Sequence, residues 1–223
     1  GKTTDLTAMG GAQYVHTFDK CFFMPSDLTA GLEYNRDRLK DNMWGYNRHT
    51  DQTVNIYSAF LQNEWKNDRW GILIGGRLDK HNMVDNVIFS PRANLRFNPT
   101  QNINLRLSYS SGFRAPQAFD EDMHIENVGG TVAMIERAKD LKEEKSQSFS
   151  VSADMYHRFG AFQTNLLIEG FYTRLTDVFV LGKPYDRGDG ILVKTRSNGP
   201  GAKVMGLTLE GKVAYLSILQ IQA

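Results

Sequence analysis

The sequence predicts an all-β fold, an antiparallel up-and-down transmembrane β-barrel with about ten strands in this chain. Three observations predict it: apolar and polar residues alternate along most segments, short and long connections alternate between segments, and aromatic residues gather beside the tight turns. Because only every second strand residue would face lipid, the alternation also explains a hydrophobic content of only 41% and a mean hydropathy of -0.42.

The alternation is clearest in two neighbouring segments on either side of Pro99. Gln101 to Tyr109 reads Gln-Asn-Ile-Asn-Leu-Arg-Leu-Ser-Tyr, and Phe89 to Asn98 alternates in the same way, so their polar residues share one face. Only Val132 to Lys145 has the composition of a helix. The same period of two, less regular elsewhere, predicts strands near residues 12–19, 28–40, 53–66, 69–81, 87–98, 101–110, 145–159, 161–175, 191–197 and 201–215.

Connection lengths provide the second observation. Short connections are expected at residues 20–27, 67–68, 99–100, 160 and 198–201, and longer ones at residues 41–52, 82–86, 111–144 and 183–190. A barrel of the outer membrane has short turns at one rim and long loops at the other. A structureless loop of about thirty residues would be unusual inside a compact soluble domain, but it is ordinary at such a rim.

Aromatic residues provide the third observation. Trp65 and Trp70 flank one tight turn, and Phe159 and Phe162 flank another. Tyr57 lies eight residues from Trp65 on the same face. At about 3.3 Å per residue and a tilt near 40°, that spacing projects to roughly 20 to 25 Å along the membrane normal, close to the height of the apolar band. The sequence therefore predicts two aromatic rows, one at each membrane interface.

Several classes of function have no support in the sequence. No apolar run is long enough for a spanning helix, and a net charge of +1 without a basic tract gives no nucleic-acid partner. The single cysteine, Cys21, cannot form a disulfide within the chain, and the five histidines have no metal-ligand spacing. Nucleotide-binding and nucleophile motifs are missing as well. We expect no enzyme activity, no cofactor and no metal site.

Four motifs, in order and at suitable separations, carry a resemblance to a known family. They are Ser90-Pro91-Arg92-Ala93, then Gly112-Phe113-Arg114-Ala115-Pro116, then Asp140 to Ser146, and finally Asn198 to Glu210 with Ala202 and Gly206. Together they resemble the barrel of TonB-dependent receptors, most closely those of Bacteroidetes. Glu143 stands where the family usually has proline, and Thr208 stands where a second acidic residue is frequent.

The resemblance implies a barrel of about 22 strands in the bacterial outer membrane, closed by an N-terminal plug domain. It implies active import of a scarce nutrient such as a ferric siderophore, haem or cobalamin. The expected partners are outer-membrane lipid, the plug, the TonB complex and a small-molecule or metal-chelate substrate. Residues 1–223 would then be one partial barrel domain, with the plug, the TonB contact and the remaining strands outside it. Its unpaired edges should make it aggregate when isolated.

Two groups of candidate site residues follow. The first group lies in the longest loop, which is the largest mobile surface, and could contact substrate: Phe113, Arg114, Phe119, Asp120, Glu121, Asp122 and His124. For Phe113, Arg114 and the neighbouring Pro116, a structural role at the strand exit is favoured. The second is a polar stripe facing the lumen, which could bind an anionic substrate but more often pairs with carboxylates: Arg77, Arg92, Asn94, Arg96 and Arg106.

Two alternatives stay open at this point. A passive porin or adhesin barrel would have the same wall but no plug. A barrel hydrolase would need an outward-facing serine and histidine, and His157 is the only histidine on the expected lipid side, with no serine near it on that face.

Overall fold

The computed structural model describes residues 2–44, 48–116, 126–128, 131–215 and 219–222, which form two sheets. Most of the chain belongs to one antiparallel sheet of ten strands, which we call the wall. The described strands are β1 (Lys2–Cys21), β2 (Met24–Met43), β3 (Arg48–Lys66), β4 (Trp70–His81), β5 (Ile88–Thr100), β6 (Ile103–Arg114), β7 (Glu126–Val128), β8 (Thr131–Arg137), β9 (Glu144–Phe159), β10 (Phe162–Thr176), β11 (Phe179–Leu181), β12 (Tyr185–Asp186), β13 (Leu192–Asn198), β14 (Ala202–Tyr215) and β15 (Leu219–Gln222).

The wall runs in the order β1-β2-β3-β4-β5-β6-β9-β10-β14-β15, so each strand pairs with the next wall strand along the chain. This meander confirms the predicted up-and-down, antiparallel fold class. The register also keeps each face uniform, since Leu95 lies opposite Leu107 while Arg96 lies opposite Arg106. We call the side that carries the two leucines the apolar face and the side that carries the two arginines the polar face.

The apolar face is left uncovered. Its side chains are strongly exposed, reaching 77% for Leu207 and 66% for Leu209. Water-soluble proteins rarely expose a continuous apolar surface of this kind, because each buried Å² of apolar area contributes about 25 cal/mol. An apolar face over a whole sheet therefore requires an apolar medium or partner against it.

Aromatic rings lie at both ends of the apolar face. Trp70 stacks on Phe97 with 4.2 Å between ring centroids at one end, and Tyr34 contacts Tyr57 at 4.9 Å at the other. The second row continues across the wall, where Tyr109 and Phe149 lie 4.8 Å apart. The two predicted aromatic rows are therefore present.

The connections between wall strands alternate in length as predicted. Residues 22–23, 67–69, 101–102 and 160–161 make short turns at one edge, the short-turn rim. Residues 44–47, 82–87, 115–143 and 177–201 connect strands at the opposite edge, the long-loop rim. One predicted loop was too long: β2 and β3 stay paired as far as Met43 and Arg48, so most of residues 41–52 is strand.

The two longest connections contain strands of their own, which form a second sheet of five strands. Its order is β11-β13-β8-β7, with β12 paired to β13. We call it the rim sheet. The central pair, β8 and β13, is parallel, and each strand comes from a different connection. The interior of the rim sheet is tight, since Met134 is 1% exposed and Val193 is fully buried.

The rim sheet corrects two predictions. The helix expected over Val132 to Lys145 is wrong, because Thr131–Arg137 is a strand and a turn follows it at residues 139–140. Pairing with β13 overrides the local helix preference of this alanine- and glutamate-containing segment. The strand expected at 191–197 exists, but it belongs to the rim sheet. The turn at 198–201 therefore lies at the long-loop rim, and β14 runs opposite to the direction implied by the sequence.

Candidate functional site

The candidate site is the long-loop rim, where the rim sheet meets the wall. Asn198, the last residue of β13, holds the two long connections together. Its Oδ1 accepts a hydrogen bond from the Lys142 amide at 2.7 Å, and its Nδ2 donates to the carbonyls of Lys142 at 3.0 Å and Asp177 at 2.8 Å. All the side-chain polar atoms of one half-buried residue are used, so both connections are held in one arrangement.

Arg114 marks the second joint between wall and rim sheet. It lies opposite Glu144 in the pairing of β6 with β9, and its guanidinium carbon lies 5.7 Å from the centroid of the Phe179 ring. The Phe179 amide in turn donates to Glu144 Oε2 at 2.8 Å. A cation over an aromatic face is attractive, so Arg114 links the end of one wall strand to the start of β11. This geometry supports a structural role for Arg114.

A charged triad lies on the rim sheet itself. Arg187 donates from Nε to Asp189 Oδ2 at 3.0 Å and from Nη1 to Glu136 Oε1 at 3.3 Å. The hydrogen bond from Arg187 lowers the pKa of the Asp189 carboxyl, against a smaller opposing effect of desolvation. The triad ties the loop at residues 187–190 to β8, and therefore one connection to the other.

The predicted loop residues are placed only in part. Phe113 lies opposite Lys145 and alternates with Gly112, which puts it on the apolar-face side of β6, while Arg114 lies on the polar-face side. Pro116 is buried, and its carbonyl accepts a hydrogen bond from Arg137 Nη1 at 2.8 Å. The other five candidates lie outside the described residues: Phe119, Asp120, Glu121, Asp122 and His124.

The predicted polar stripe is gathered on the polar face. Arg77 forms ion pairs with Glu33 at 2.7 Å and Asp79 at 2.9 Å, as the carboxylate-pairing interpretation expects. Arg96 instead donates to the carbonyls of Asn67 and Trp70, and Arg106 donates to Asn104, whereas Arg92 makes no ion pair in the part of the chain that the structure describes. Asn94 lies opposite Leu73 and Ser108.

A concave cavity of about 530 Å³ lies on the polar face between β3 and β14. Two arginines and two glutamates line it with serine hydroxyls from β9, so it offers both signs of charge and neutral hydrogen-bond donors. Such a lining suits a polar protein segment or a polar ligand. The lining includes Glu64, Arg96, Arg106, Ser150, Ser152 and Glu169.

Sequence reasoning missed the joints of the rim. Phe179 carries no local signal, and Glu144 stands in the motif Asp140 to Ser146, but the contact between them joins chain segments that are distant in sequence. Asn198 also stands in a motif that the sequence identified, although its partners could not be inferred. Within the described ranges, no helix has the length and apolarity needed to cross a membrane. In the same ranges, no three His, Cys, Asp or Glu side chains form a metal-binding group.

The wall and the rim sheet together define a class of protein: a large β-barrel whose long loops fold at one rim. Residues 2–222 match the family model described as TonB dependent receptor-like, beta-barrel. The chain therefore belongs to the TonB-dependent receptor family, as the motifs at Arg92, Arg114 and Asn198 indicated.

Known proteins agree with this assignment. The siderophore receptor PirA from Pseudomonas aeruginosa superposes with a TM-score of 0.77 at 16% identity, covering 95% of this chain and 40% of that one. A mutant of the ferric enterobactin receptor PfeA from the same species, solved in complex with enterobactin, gives a TM-score of 0.66 at 21% identity, covering 94% of this chain and 33% of that one. In sequence, the chain is 23% identical to the probable hemoglobin and hemoglobin-haptoglobin-binding protein 3 of Haemophilus influenzae.

The coverage of these relatives is uneven. The match to the Haemophilus protein includes 90% of this chain but only 18% of that protein. The chain thus spans well under half the length of the relatives it matches.

Proposed function

We propose that this chain forms wall and outer loops of a TonB-dependent receptor that imports a scarce nutrient across the bacterial outer membrane. The observation that carries the proposal is the uncovered apolar face of the wall, bounded at both ends by aromatic rows. An outer-membrane barrel needs this arrangement, because lipid tails cover the apolar face and aromatic rings settle at the two interfaces. The family match supports the receptor class.

Iron sources are the proposed substrate class. The matched relatives are described as siderophore, ferric enterobactin and hemoglobin-binding receptors, which supports a ferric chelate or haem over cobalamin. The rim sheet would form the outer side of the binding site, because it is the largest folded surface at the long-loop rim. Import then requires two states of the receptor with different affinities for the substrate. The second state, reached with energy supplied through TonB, must bind the substrate less tightly than the first.

The polar face is proposed to meet the plug domain. Its cavity is lined by Arg96, Arg106, Glu64 and Glu169, so a plug segment that carries both charges could pair with it. Ionised groups enclosed between wall and plug need such partners, because an unpaired charge away from water is costly. Domain 1–223 would then act as a frame around a separate moving part.

Growth rescue tests the transport proposal. The full-length receptor that contains this segment, placed in a strain lacking its own iron receptors, should restore growth on a ferric siderophore or on haem as sole iron source. The same strain without TonB should not grow. Rescue that persists without TonB would overturn active import and indicate a passive barrel. Uptake of cobalamin without rescue on any iron source would overturn the iron class.

A loop variant tests the substrate contact. Replacing Asp120, Glu121 and Asp122 by their amides removes three charges from the long loop. If this segment contacts substrate, the dissociation constant should change by about tenfold or more, since hydrogen bonds to charged groups contribute about 1.5–3 kcal/mol each. Asp68→Asn, a charge removal at the short-turn rim, is the control and should leave binding unchanged. Equal binding by both variants would exclude these residues from the site.

A further inference from the structure

Two cations lie directly opposite each other on the apolar face. Arg174 of β10 pairs with Lys203 of β14, and both side chains are exposed. Tyr172 and Met205, the pair two positions away in the register, lie on the same face, so Arg174 and Lys203 project from the side that carries Leu207 and Leu209. Like charges directly across a strand pair repel each other, so this arrangement is unfavourable unless an anion lies between them.

No acidic side chain in the described part of the chain supplies that anion. Among the residues that the structure describes, no carboxylate oxygen lies within ion-pair distance of Arg174 or Lys203. The contrast with β2 and β3 is direct. There, at the same rim and on the same face, Asp51 pairs with Arg38 at 3.4 Å and with Lys40 at 3.6 Å. One pair of neighbouring cations is thus neutralised within the fold and the other is not.

The position of Arg174 and Lys203 along the membrane normal restricts the kind of anion that can bind them. Tyr172 and Phe149 lie opposite each other in the aromatic row at the long-loop rim, and Arg174 lies two residues beyond Tyr172. Two residues correspond to about 6.6 Å along a strand. Aromatic rows mark the level where lipid tails give way to headgroups, so the cations lie among the headgroups. Gln147, opposite Arg174 on β9, adds an exposed amide donor beside them.

We propose that Arg174, Lys203 and Gln147 bind the phosphate of an anionic lipid headgroup in the outer leaflet. The arrangement offers one guanidinium, one ammonium and one amide, all donors to phosphate oxygens, on a surface that lipid surrounds. The inference rests on the proposed membrane location of the wall and goes beyond it by assigning a lipid site. Each cation near a charged membrane surface changes lipid affinity roughly fivefold.

The test uses the full-length receptor in nanodiscs of phosphatidylcholine, with and without a phosphorylated glycolipid. The glycolipid should raise the midpoint of thermal unfolding of the wild type, because a ligand that binds the folded state stabilises it. R174Q/K203Q should need roughly 25-fold more glycolipid for the same rise. The charge-preserving R174K/K203R should behave like wild type, and so should R69Q, which removes a cation at the short-turn rim.

The outcomes distinguish a specific lipid site from general phosphate binding and from failure of the membrane-wall proposal. Equal glycolipid dependence of R174Q/K203Q and wild type overturns the lipid site, and transport by the same protein leaves the proposed function intact. Equal stabilisation by inorganic phosphate in neutral nanodiscs also overturns it, because the site would then take any phosphate. A receptor that does not enter nanodiscs as a folded barrel contradicts the membrane wall itself, and both proposals fail with it.

Discussion

Asn198 and Lys142 exchange two hydrogen bonds, one in each direction, between the side-chain amide of the first and the backbone of the second. The two residues are 56 positions apart and belong to different long connections. Because a third hydrogen bond joins Asn198 to Asp177, one side chain fixes the start of β9 and the ends of β10 and β13 relative to each other. The rim sheet is therefore a joint product of two loops.

Asn198→Ala should loosen the rim sheet. Leaving the Lys142 and Asp177 backbone groups without their partner costs about 1–3 kcal/mol. Amide hydrogen exchange in the full-length receptor should become faster in β8 and β13 and stay unchanged in β4 and β5. Asn86→Ala, which removes an exposed amide from another connection at the same rim, is the control. Unchanged protection of β8 in the Asn198 variant would refute the role of this residue.

Arg77→Gln should weaken the wall. Asp79 is 4% exposed, and losing Arg77 leaves it with the Ser58 hydroxyl, so the carboxylate loses its charge partner. We expect about 1–3 kcal/mol lower stability, measured as a lower temperature for loss of the folded band in gel electrophoresis. Arg92→Gln is the matched control on the same face and should cost little. Adding Asp79→Asn should recover part of the loss, and a simple sum of the two effects would contradict direct pairing.

Gly206→Val should block assembly of the wall. A side chain at Gly206 would enter the ring of Phe171 on the neighbouring strand, where backbone hydrogen bonds prevent the strands from moving apart. Overpacking of this kind costs about 1–3 kcal/mol or more. Gly211→Val is the control on the same strand, since that position has open space. The yield of folded receptor should fall for the first variant only, and Phe171→Ala should restore it.

The rim sheet should respond to acid through Asp189. Its folded pKa is lowered by Arg187, so the pair contributes stability that is present above the unfolded pKa of about 3.9 and is lost as pH falls through the lower folded value. Amide exchange in β12 and β13 should therefore accelerate, relative to β5, between about pH 4 and the folded pKa. Asp189→Asn should remove this acid-dependent step. Because both side chains are solvent-accessible, the change should be small.

The wall shows how much of the fold local sequence patterns can predict. The segment 101–110 alternates so regularly that its strand and both its faces follow from the sequence, although the strand runs from Ile103 to Arg114 and residues 101–102 form the turn that was expected at 99–100. Trp70 could be assigned to an aromatic row because it stands beside a turn, and in the structure it stacks on Phe97. These predictions succeed because strand periodicity and turn chemistry depend on residues within a few positions of each other.

Less of the candidate site than of the wall could be predicted from the sequence. Arg77, Arg96 and Arg106 were assigned to one face only because side chains alternate along a strand, and the register confirms that they share a face. Their partners differ, however: Arg77 pairs with Glu33 from a strand 44 residues away, whereas Arg96 binds carbonyls of a turn. Alternation along a strand determines the face on which a side chain lies, but its contacts depend on the neighbouring strands and turns.

The sequence by itself determined the antiparallel meander, the two faces, the alternation of rims and the family, because each is written in local periodicity or in motifs such as Gly112 to Pro116. Tertiary structure decided where Val132 to Lys145 and 191–197 belong. The start of the first segment, up to Arg137, and the second segment become strands of the rim sheet through parallel pairing of Leu192 with Ala133 and Arg196 with Arg137, about 60 residues apart in the chain. No local pattern encodes such a pairing, because its stabilisation exists only once both connections have met above the wall.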